Sequence, residues 1–375
     1  MLDRSSNAPM LAQKTTPVAR KLFSKTVLQN IFSKNILGKS AVLAMTAALT
    51  LSGCSQIYKT GANIGLHFVE GQIVPPILTL DDTNMVCVSG TSLQPAILAT
   101  AAMGADATRV SVLLFAGAAM CAEDTALEHE LTYLRAAHNG KVDEAEDARI
   151  AQKRWSAIAA RRQYAAYQMF QETWEREFHI KLGEECPSMK TDLDKTIYLI
   201  GLITGLEAIV NDISSQGAVN VPKDIAAVVE RGMKCVNNEQ FWGVPMAVRA
   251  AIWVLLPGAG EGKPDPYQTL KDSTRLGERK GVRLSHAVYA LAAQATGKDD
   301  LIRDALKTYG HSVDQNMPVN PKYKLFDAMG GHLVWGIADR YWTDKTGKRA
   351  PEDGLTKFWD ESSIDSSVKV DDLLN

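Results

Sequence analysis

The sequence lacks most of the features by which enzymes and nucleic-acid-binding proteins are recognised. Its 375 residues have a net charge of only −2, which gives no hint of a nucleic-acid partner. The seven histidines form no His-x-x-x-His or His-Glu-x-x-His pair for a metal, and no Gly-x-Ser-x-Gly turn presents a serine nucleophile. We therefore predict no catalytic residue, no metal and no cofactor, and we expect that the protein is not an enzyme.

β-strand patterns are also nearly missing, apart from a short alternating run near Met85–Val88. No segment after residue 53 is apolar for long enough to suggest a membrane span, since the most apolar stretch, 196–210, is short and contains Glu207. The helical period dominates instead. It predicts an all-α fold of antiparallel helical hairpins around 196–210 as a central buried helix. No clean repeat is visible, so a tetratricopeptide-like array would be a degenerate one.

Several further helices are predicted from the same period and from proline and glycine punctuation. They cover 107–120, 125–137, 223–235, 246–256, 267–279, 283–295, 299–309 and 323–341. In the central helix, Gly201 and Gly205 lie four residues apart on one face. We expect them to let a neighbouring backbone approach closely.

The first 53 residues differ from the rest of the chain. They carry seven basic residues and a single acid, Asp3, and they end in an apolar run too short to cross a bilayer comfortably. The run closes with Leu51-Ser-Gly-Cys54, which resembles the lipobox of bacterial lipoproteins. This resemblance implies a signal peptide over 1–53, cleavage before Cys54, and attachment to a membrane by lipid on that cysteine. The alternative is a buried N-terminal helix with a chance cysteine.

The residue after the lipobox and the charge of the mature chain add to this interpretation. Ser55 stands where an aspartate would favour retention in the inner membrane, so we expect the outer membrane and its periplasmic side. Loss of the leader leaves a chain with a charge of about −8. We predict a single helical domain over 54–360 and a flexible acidic tail over 361–375.

Four cysteines remain beyond the lipobox, and an even number in an exported chain suggests two disulfides. Three pairings are open. The one that closes the shorter loops joins Cys87 to Cys121 and Cys186 to Cys235, and we favour it because each bond would connect two neighbouring helices. Four buried free thiols are the alternative. A zinc site is less favoured because no two of these cysteines are close in sequence.

A long helix over 148–178 carries an aromatic stripe at steps of three and four residues. Tyr164, Tyr167 and Trp174 in this stripe could line a ligand cavity, although such stripes more often form plain core. Glu207 is the second candidate. If it is buried, its pKa is raised and it becomes a site candidate; the ordinary alternative is a glutamate at the edge of the core.

The lipobox, the helical body and the run Leu113-Leu-Phe-Ala-Gly-Ala-Ala-Met-Cys-Ala-Glu-Asp124 resemble the T-component lipoproteins associated with TRAP transporters. The resemblance covers residues 54 to 255 and is architectural, so it assigns no role to a residue. It implies tetratricopeptide-like hairpins, a central cavity suited to apolar ligands, and association with a periplasmic substrate-binding protein.

The sequence thus favours a membrane-anchored periplasmic lipoprotein that acts as a helical scaffold. It would bind a protein partner, such as a periplasmic substrate-binding protein, or an apolar small molecule. The alternative is a structural or assembly lipoprotein of the cell envelope without a ligand, and an enzyme with Glu207 as its acid is less favoured. The sequence leaves a homo-oligomeric state open.

Overall fold

The structure is a computed structural model that describes residues 56–315 and 317–361. The predicted signal peptide, the lipidation site Cys54 and all but Glu361 of the predicted tail lie outside the described residues. The chain divides into two units, 1–58 and 59–375. Only residues 56–58 of the first unit are described, so the account that follows concerns the second.

The described residues form an all-helical fold, as predicted, and contain no strand beyond an isolated bridge between Leu182 and Glu185. Helix α1 covers 59–68 of the second unit and continues through a π-helical turn, Val69–Ile73, into the short turn Val74–Ile77. The other helices are α2 (Thr83–Ala101), α3 (Thr108–His138), α4 (Val142–Phe178), α5 (Asp192–Ser214), α6 (Ile225–Gly232), α7 (Val244–Leu255), α8 (Pro266–Lys280), α9 (Leu284–Thr296), α10 (Asp299–Asp314) and α11 (Lys324–Thr346).

The interpretation of Met85–Val88 as a short β pattern was wrong, because these residues lie in the first turns of α2. The carboxylate of Asp82 caps this helix by accepting a hydrogen bond from the backbone N–H of Met85 at 3.0 Å. The helices predicted at 107–120 and 125–137 are one continuous helix, α3. No proline or glycine stands between the two predicted segments to end a helix there.

Helices α3 and α4 form a long antiparallel hairpin, which confirms the predicted hairpin architecture. They contain 31 and 37 residues, so they extend for about 46 Å and 55 Å at 1.5 Å per residue. The connection is only three residues long. It turns at Gly140, whose φ of +72° is readily adopted by glycine. This hairpin brings the side chains of α3 against α4 over most of their length.

Helix α2 packs so closely on α3 that the two backbones touch. A Cβ atom placed on Gly90 would lie 2.3 Å from the backbone nitrogen of Ala118 and 2.5 Å from the carbonyl oxygen of Leu114. Gly117 approaches α2 in the same way, since its Cβ would lie 2.9 Å from the carbonyl oxygen of Val86. The absence of side chains at these two glycines therefore sets the distance between α2 and α3.

Two large apolar clusters form the core of the described unit. The first surrounds α5, the predicted central helix, and includes Ile197, Tyr198 and Leu202. The second lies among α7 to α11 and includes Tyr289 and Trp342. Both clusters are contacted by Val288 of α9, so the two halves of the unit share apolar contacts.

The expectation for Gly201 and Gly205 was wrong in one respect. Aromatic rings, rather than a neighbouring backbone, occupy the space above them. A Cβ atom on Gly201 would lie 2.3 Å from Cγ of Phe170, and one on Gly205 would lie 2.5 Å from Cδ2 of Tyr167. The two glycines thus accommodate the aromatic stripe of α4 against α5.

Two described helices, α3 and α5, are long and apolar enough to cross a membrane by length and composition. The most apolar window of α3 is 44% buried within the protein, and that of α5 is 56% buried. Core helices of soluble proteins also meet this criterion of length and composition, and both helices contribute to the first apolar cluster. The expectation that no later segment spans a membrane stays a prediction.

Candidate functional site

The four cysteines of the described unit form two disulfides with the favoured pairing. The sulfur atoms of Cys87 and Cys121 are bonded, as are those of Cys186 and Cys235. The first bond connects α2 to α3, two neighbouring helices, as expected. The second connects the loop after α4 to the 3₁₀ turn that follows α6, so only the first bond directly joins two α-helices.

The aromatic residues proposed as cavity lining lie in the core around α5. Tyr167 and Trp174 are almost completely buried, whereas Tyr164 is half-buried. The ring of Phe170 lies between them and contacts both Trp174 and Tyr198 of α5, with centroid separations of 5.0 and 5.5 Å. These contacts are those of a packed aromatic core. A role in lining a ligand cavity stays a prediction for these residues.

Arg109 binds to three carboxylates from distant parts of the chain, a feature that sequence analysis missed. Its guanidinium donates to Glu70 at 2.6 Å and to Glu177 at 3.0 Å, and it also pairs with Asp194. The same guanidinium lies over the ring of Trp174, 4.9 Å from the centroid. Arg109 thereby joins the start of α3 to the end of α4 and the start of α5.

Glu207 lies in a polar cluster between α3, α4 and α5, which we call the carboxylate cluster. Its members are Glu123 of α3, Gln163 of α4, and Glu207 and Asn211 of α5. The amide nitrogen of Gln163 lies 2.8 Å from Glu123 Oε1 and 3.4 Å from Glu207 Oε2. The amide of Asn211 donates to Glu123 at 2.6 Å and to Gln163 Oε1 at 2.9 Å. The amide of Gln163 therefore bridges the two carboxyl groups, while the amide of Asn211 holds the carboxyl group of Glu123 and the backbone carbonyl of Glu207.

Burial and mutual repulsion raise the pKa of both carboxyl groups in the cluster. Loss of water raises the pKa of Glu207, and the negative charge of Glu123 raises it further, to about 8. Part of the Glu207 side chain remains exposed, but protein atoms closely surround its carboxyl group. Burial also raises the pKa of Glu123, while the hydrogen bonds from Gln163 and Asn211 act in the opposite direction. At neutral pH the pair therefore holds a proton that isolated glutamates would have lost.

Other acidic side chains of α3 connect this helix to α11, in the C-terminal part of the unit. Asp124 binds His332 of α11 at 2.6 Å, and Glu130 accepts a hydrogen bond from Arg340 of the same helix at 2.8 Å. The hydrogen bond to Asp124 raises the pKa of His332. Sequence analysis assigned no contact to the acidic residues of α3, because their partners lie about 200 positions away in the sequence.

The contacts and the raised pKa of Glu207 suit the carboxylate cluster to the storage of a proton. Both amides are engaged with the carboxyl groups, and no side chain in these contacts is a nucleophile that Glu207 could activate. Among the described residues, no group of three His, Cys, Asp or Glu side chains has a geometry suited to a metal ion. A shallow pocket elsewhere is lined by Tyr267, Lys298, Asp299, Asp300 and Leu301, none of which belongs to the cluster.

The raised pKa of Glu207 predicts that the contribution of this residue to stability falls as the pH rises from about 4.5 to about 8. Over this range the unfolded chain releases the proton while the folded chain retains it. An increase in pH therefore favours the unfolded state. Replacement by the neutral isostere in Glu207→Gln should remove this penalty. We expect the variant to be clearly more stable than the wild type at pH 8, with a much smaller difference at pH 5. Urea unfolding at the two pH values measures both differences.

His332 also loses stabilising charge at high pH, and this contribution must be separated from that of Glu207. The difference between the wild type and Glu207→Gln removes it, because both proteins retain His332. A matched control is Glu172→Gln, since Glu172 is an exposed residue of α4. Equal pH dependence of the wild type and Glu207→Gln would show that Glu207 is already ionised at neutral pH.

Comparison with known proteins gives no further assignment for this site. No protein-family model, no curated protein and no solved structure matches the chain.

Proposed function

We propose that the protein is a membrane-anchored periplasmic lipoprotein of the TRAP-transporter-associated type, acting as a helical scaffold for a partner. The observation that carries the proposal is the pair of disulfides, Cys87–Cys121 and Cys186–Cys235. Structural disulfides persist in oxidising compartments and are rare in the cytosol. They therefore agree with export through the leader that ends at Cys54. The outer membrane remains the proposed location because of Ser55.

A protein partner is favoured over an apolar small molecule. Tyr167 and Trp174 are two of the side chains suggested to line a ligand cavity. Their rings pack against neighbouring residues of α4 and α5. A periplasmic substrate-binding protein is the partner suggested by the family resemblance.

The alternative is a structural or assembly lipoprotein of the envelope without a ligand, which the packed aromatic core also supports. Mass spectrometry of the proteins and lipids retained by the chain from detergent-solubilised membranes distinguishes the two. Recovery of neither a specific protein nor a ligand would count against the scaffold proposal. We propose no catalytic role, because the groups around Glu207 are held by hydrogen bonds within the protein.

The anchor itself is tested by Cys54→Ser in the full-length chain. Because a serine hydroxyl cannot replace the thiol that receives the lipid, we expect the variant to leave the membrane fraction or to remain as an uncut precursor. The matched control is Ser55→Ala, which changes the adjacent residue and keeps the thiol. Normal processing and unchanged membrane residence of Cys54→Ser would exclude the lipid anchor.

Ser55→Asp should move the protein from the outer to the inner membrane fraction.

A further inference from the structure

Exposed apolar side chains are concentrated at the beginning of the described unit. Eight of the eighteen exposed large apolar residues in 59–361 lie between positions 64 and 103. We define the α1–α2 apolar face by four of them, Ile64, Phe68, Met85 and Val88, which lie opposite the buried residues of their helices. Scattered exposed apolar residues are normal on a soluble protein, but a concentration of this kind marks an interaction surface.

Each helix of this face turns another stripe inward. In α1, Leu66 is buried with Ala62 and Val69 beside it, while Ile64 and Phe68 point away from that stripe. In α2, the inward stripe is formed by Cys87, Gly90 and Gln94. The outward side chains are therefore not required for packing these helices on the rest of the unit.

The chemistry of the face is apolar and almost free of charge. No charged residue occurs from Thr83 to Ala105, and no lysine or arginine occurs between Lys59 and Arg109. A helix whose outward side is exposed to water normally carries charged residues there. The composition instead suits contact with hydrocarbon, and it gives no basic residues for electrostatic attraction to anionic lipid.

The position of the lipid-bearing cysteine decides between the occupants of this face. Lys59 follows Cys54 by only five residues, so even a fully extended chain keeps it within about 17 Å of the acylated cysteine. The first helices of the unit are therefore held at the bilayer surface. A partner protein or a second copy would have to compete with a membrane that the anchor keeps permanently close.

We propose that the α1–α2 apolar face lies on the phospholipid bilayer, with its side chains inserted among the acyl chains below the headgroups. This inference rests on the lipid anchor proposed above. The anchor and the face together then restrict the rotation of the unit at the membrane. They fix the orientation of the unit relative to the bilayer.

The inference is tested with a spin label on single introduced cysteines in the lipidated full chain. The other cysteines are occupied, because Cys54 carries the lipid and the remaining four form disulfides. The labelled variants are Phe68→Cys and Val88→Cys. The matched control is Val313→Cys in α10, since Val313 and Val88 are similarly exposed, at 44% and 50%. The proteins are reconstituted in phosphatidylcholine vesicles.

Frequent collision of the label with oxygen indicates that the label lies in lipid. Frequent collision with a water-soluble nickel complex indicates that it lies in solvent. We expect the labels at 68 and 88 to lie about 5–10 Å below the headgroups, with an oxygen-to-nickel ratio several-fold above that at 313. The ratio should not change with ionic strength, because no basic residue of the face contributes.

Two results would overturn the inference while leaving the anchor intact. Labels at 68 and 88 that are as accessible to nickel as the label at 313, on protein that stays with the vesicles, would place the face in water. Labels shielded from both reagents would place it under protein, either a partner or a second copy. Loss of the wild-type chain from membranes would instead contradict the proposed lipid anchor itself.

Discussion

Arg283→Met is expected to cost about 3–5 kcal/mol of folding free energy, the largest effect of a single side chain that we predict. Arg283 and Asp327 form an ion pair in which both residues are more than nine-tenths buried. The guanidinium donates to both carboxylate oxygens, at 2.9 and 2.8 Å, and the backbone N–H of Arg283 donates to the same carboxylate at 2.8 Å. The substitution would leave the charge of Asp327 buried without its partner.

Urea unfolding of the purified protein measures this effect. The control is Arg275→Met, because Arg275 and its partner Asp272 are each 60% exposed and their pair should contribute less than about 1 kcal/mol. The double variant Arg283→Met/Asp327→Leu should recover part of the loss, since it removes both charges but still leaves the backbone N–H unpaired. Equal destabilisation by Arg283→Met and Arg275→Met would show that the buried pair makes no special contribution.

Gly90→Ala is expected to destabilise the protein by about 3 kcal/mol, although it adds only one methyl group to a helix. The new Cβ would overlap the backbone of α3 at both Ala118 and Leu114. A backbone cannot move aside as a flexible side chain can, so α2 would have to shift away from α3. The same shift strains the bond between Cys87 and Cys121, which joins these helices near Gly90.

The control for Gly90→Ala is Gly65→Ala in α1, where no atom lies within 4 Å of the added Cβ. Alanine is the better helix former, so Gly65→Ala should stabilise the protein by up to about 1 kcal/mol. The two substitutions are expected to change the stability in opposite directions, which separates a packing effect from a helix-propensity effect. Stabilisation by both substitutions, measured by thermal unfolding, would mean that α2 does not approach α3 as closely as described. Quantification of free thiols in Gly90→Ala checks the disulfide independently.

Several elements of the site could be predicted because their signals are local. The aromatic steps at Tyr164, Tyr167 and Trp174 identified a helix face, and the apolar run around Glu207 identified a buried helix. Neither pattern could show that Phe170 would lie against Gly201, or that Glu207 would meet Glu123 across two helices. Such contacts depend on the rotation and offset of one helix against another, which a periodic pattern leaves undetermined.

The helix α2 was missed for a related reason. Its residues are apolar or small on all sides, so they give no contrast between an inward and an outward face. Valine, threonine, glycine and a proline also reduce its intrinsic helix propensity. Packing on α3 and the Asp82 cap stabilise the helix in spite of this composition.

By itself, the sequence determined the all-helical class, most helix positions and the favoured disulfide pairing, because these follow from periodicity and from the cost of closing a loop. It also provided the prediction of a lipid anchor at Cys54, which lies outside the described residues. Only the tertiary structure decided that Tyr167 and Trp174 are buried, that Glu207 lies in one polar cluster with Glu123, and that α1 and α2 leave an apolar face uncovered within the described unit. The physical reason is that burial of a side chain depends on contacts between helices far apart in the sequence.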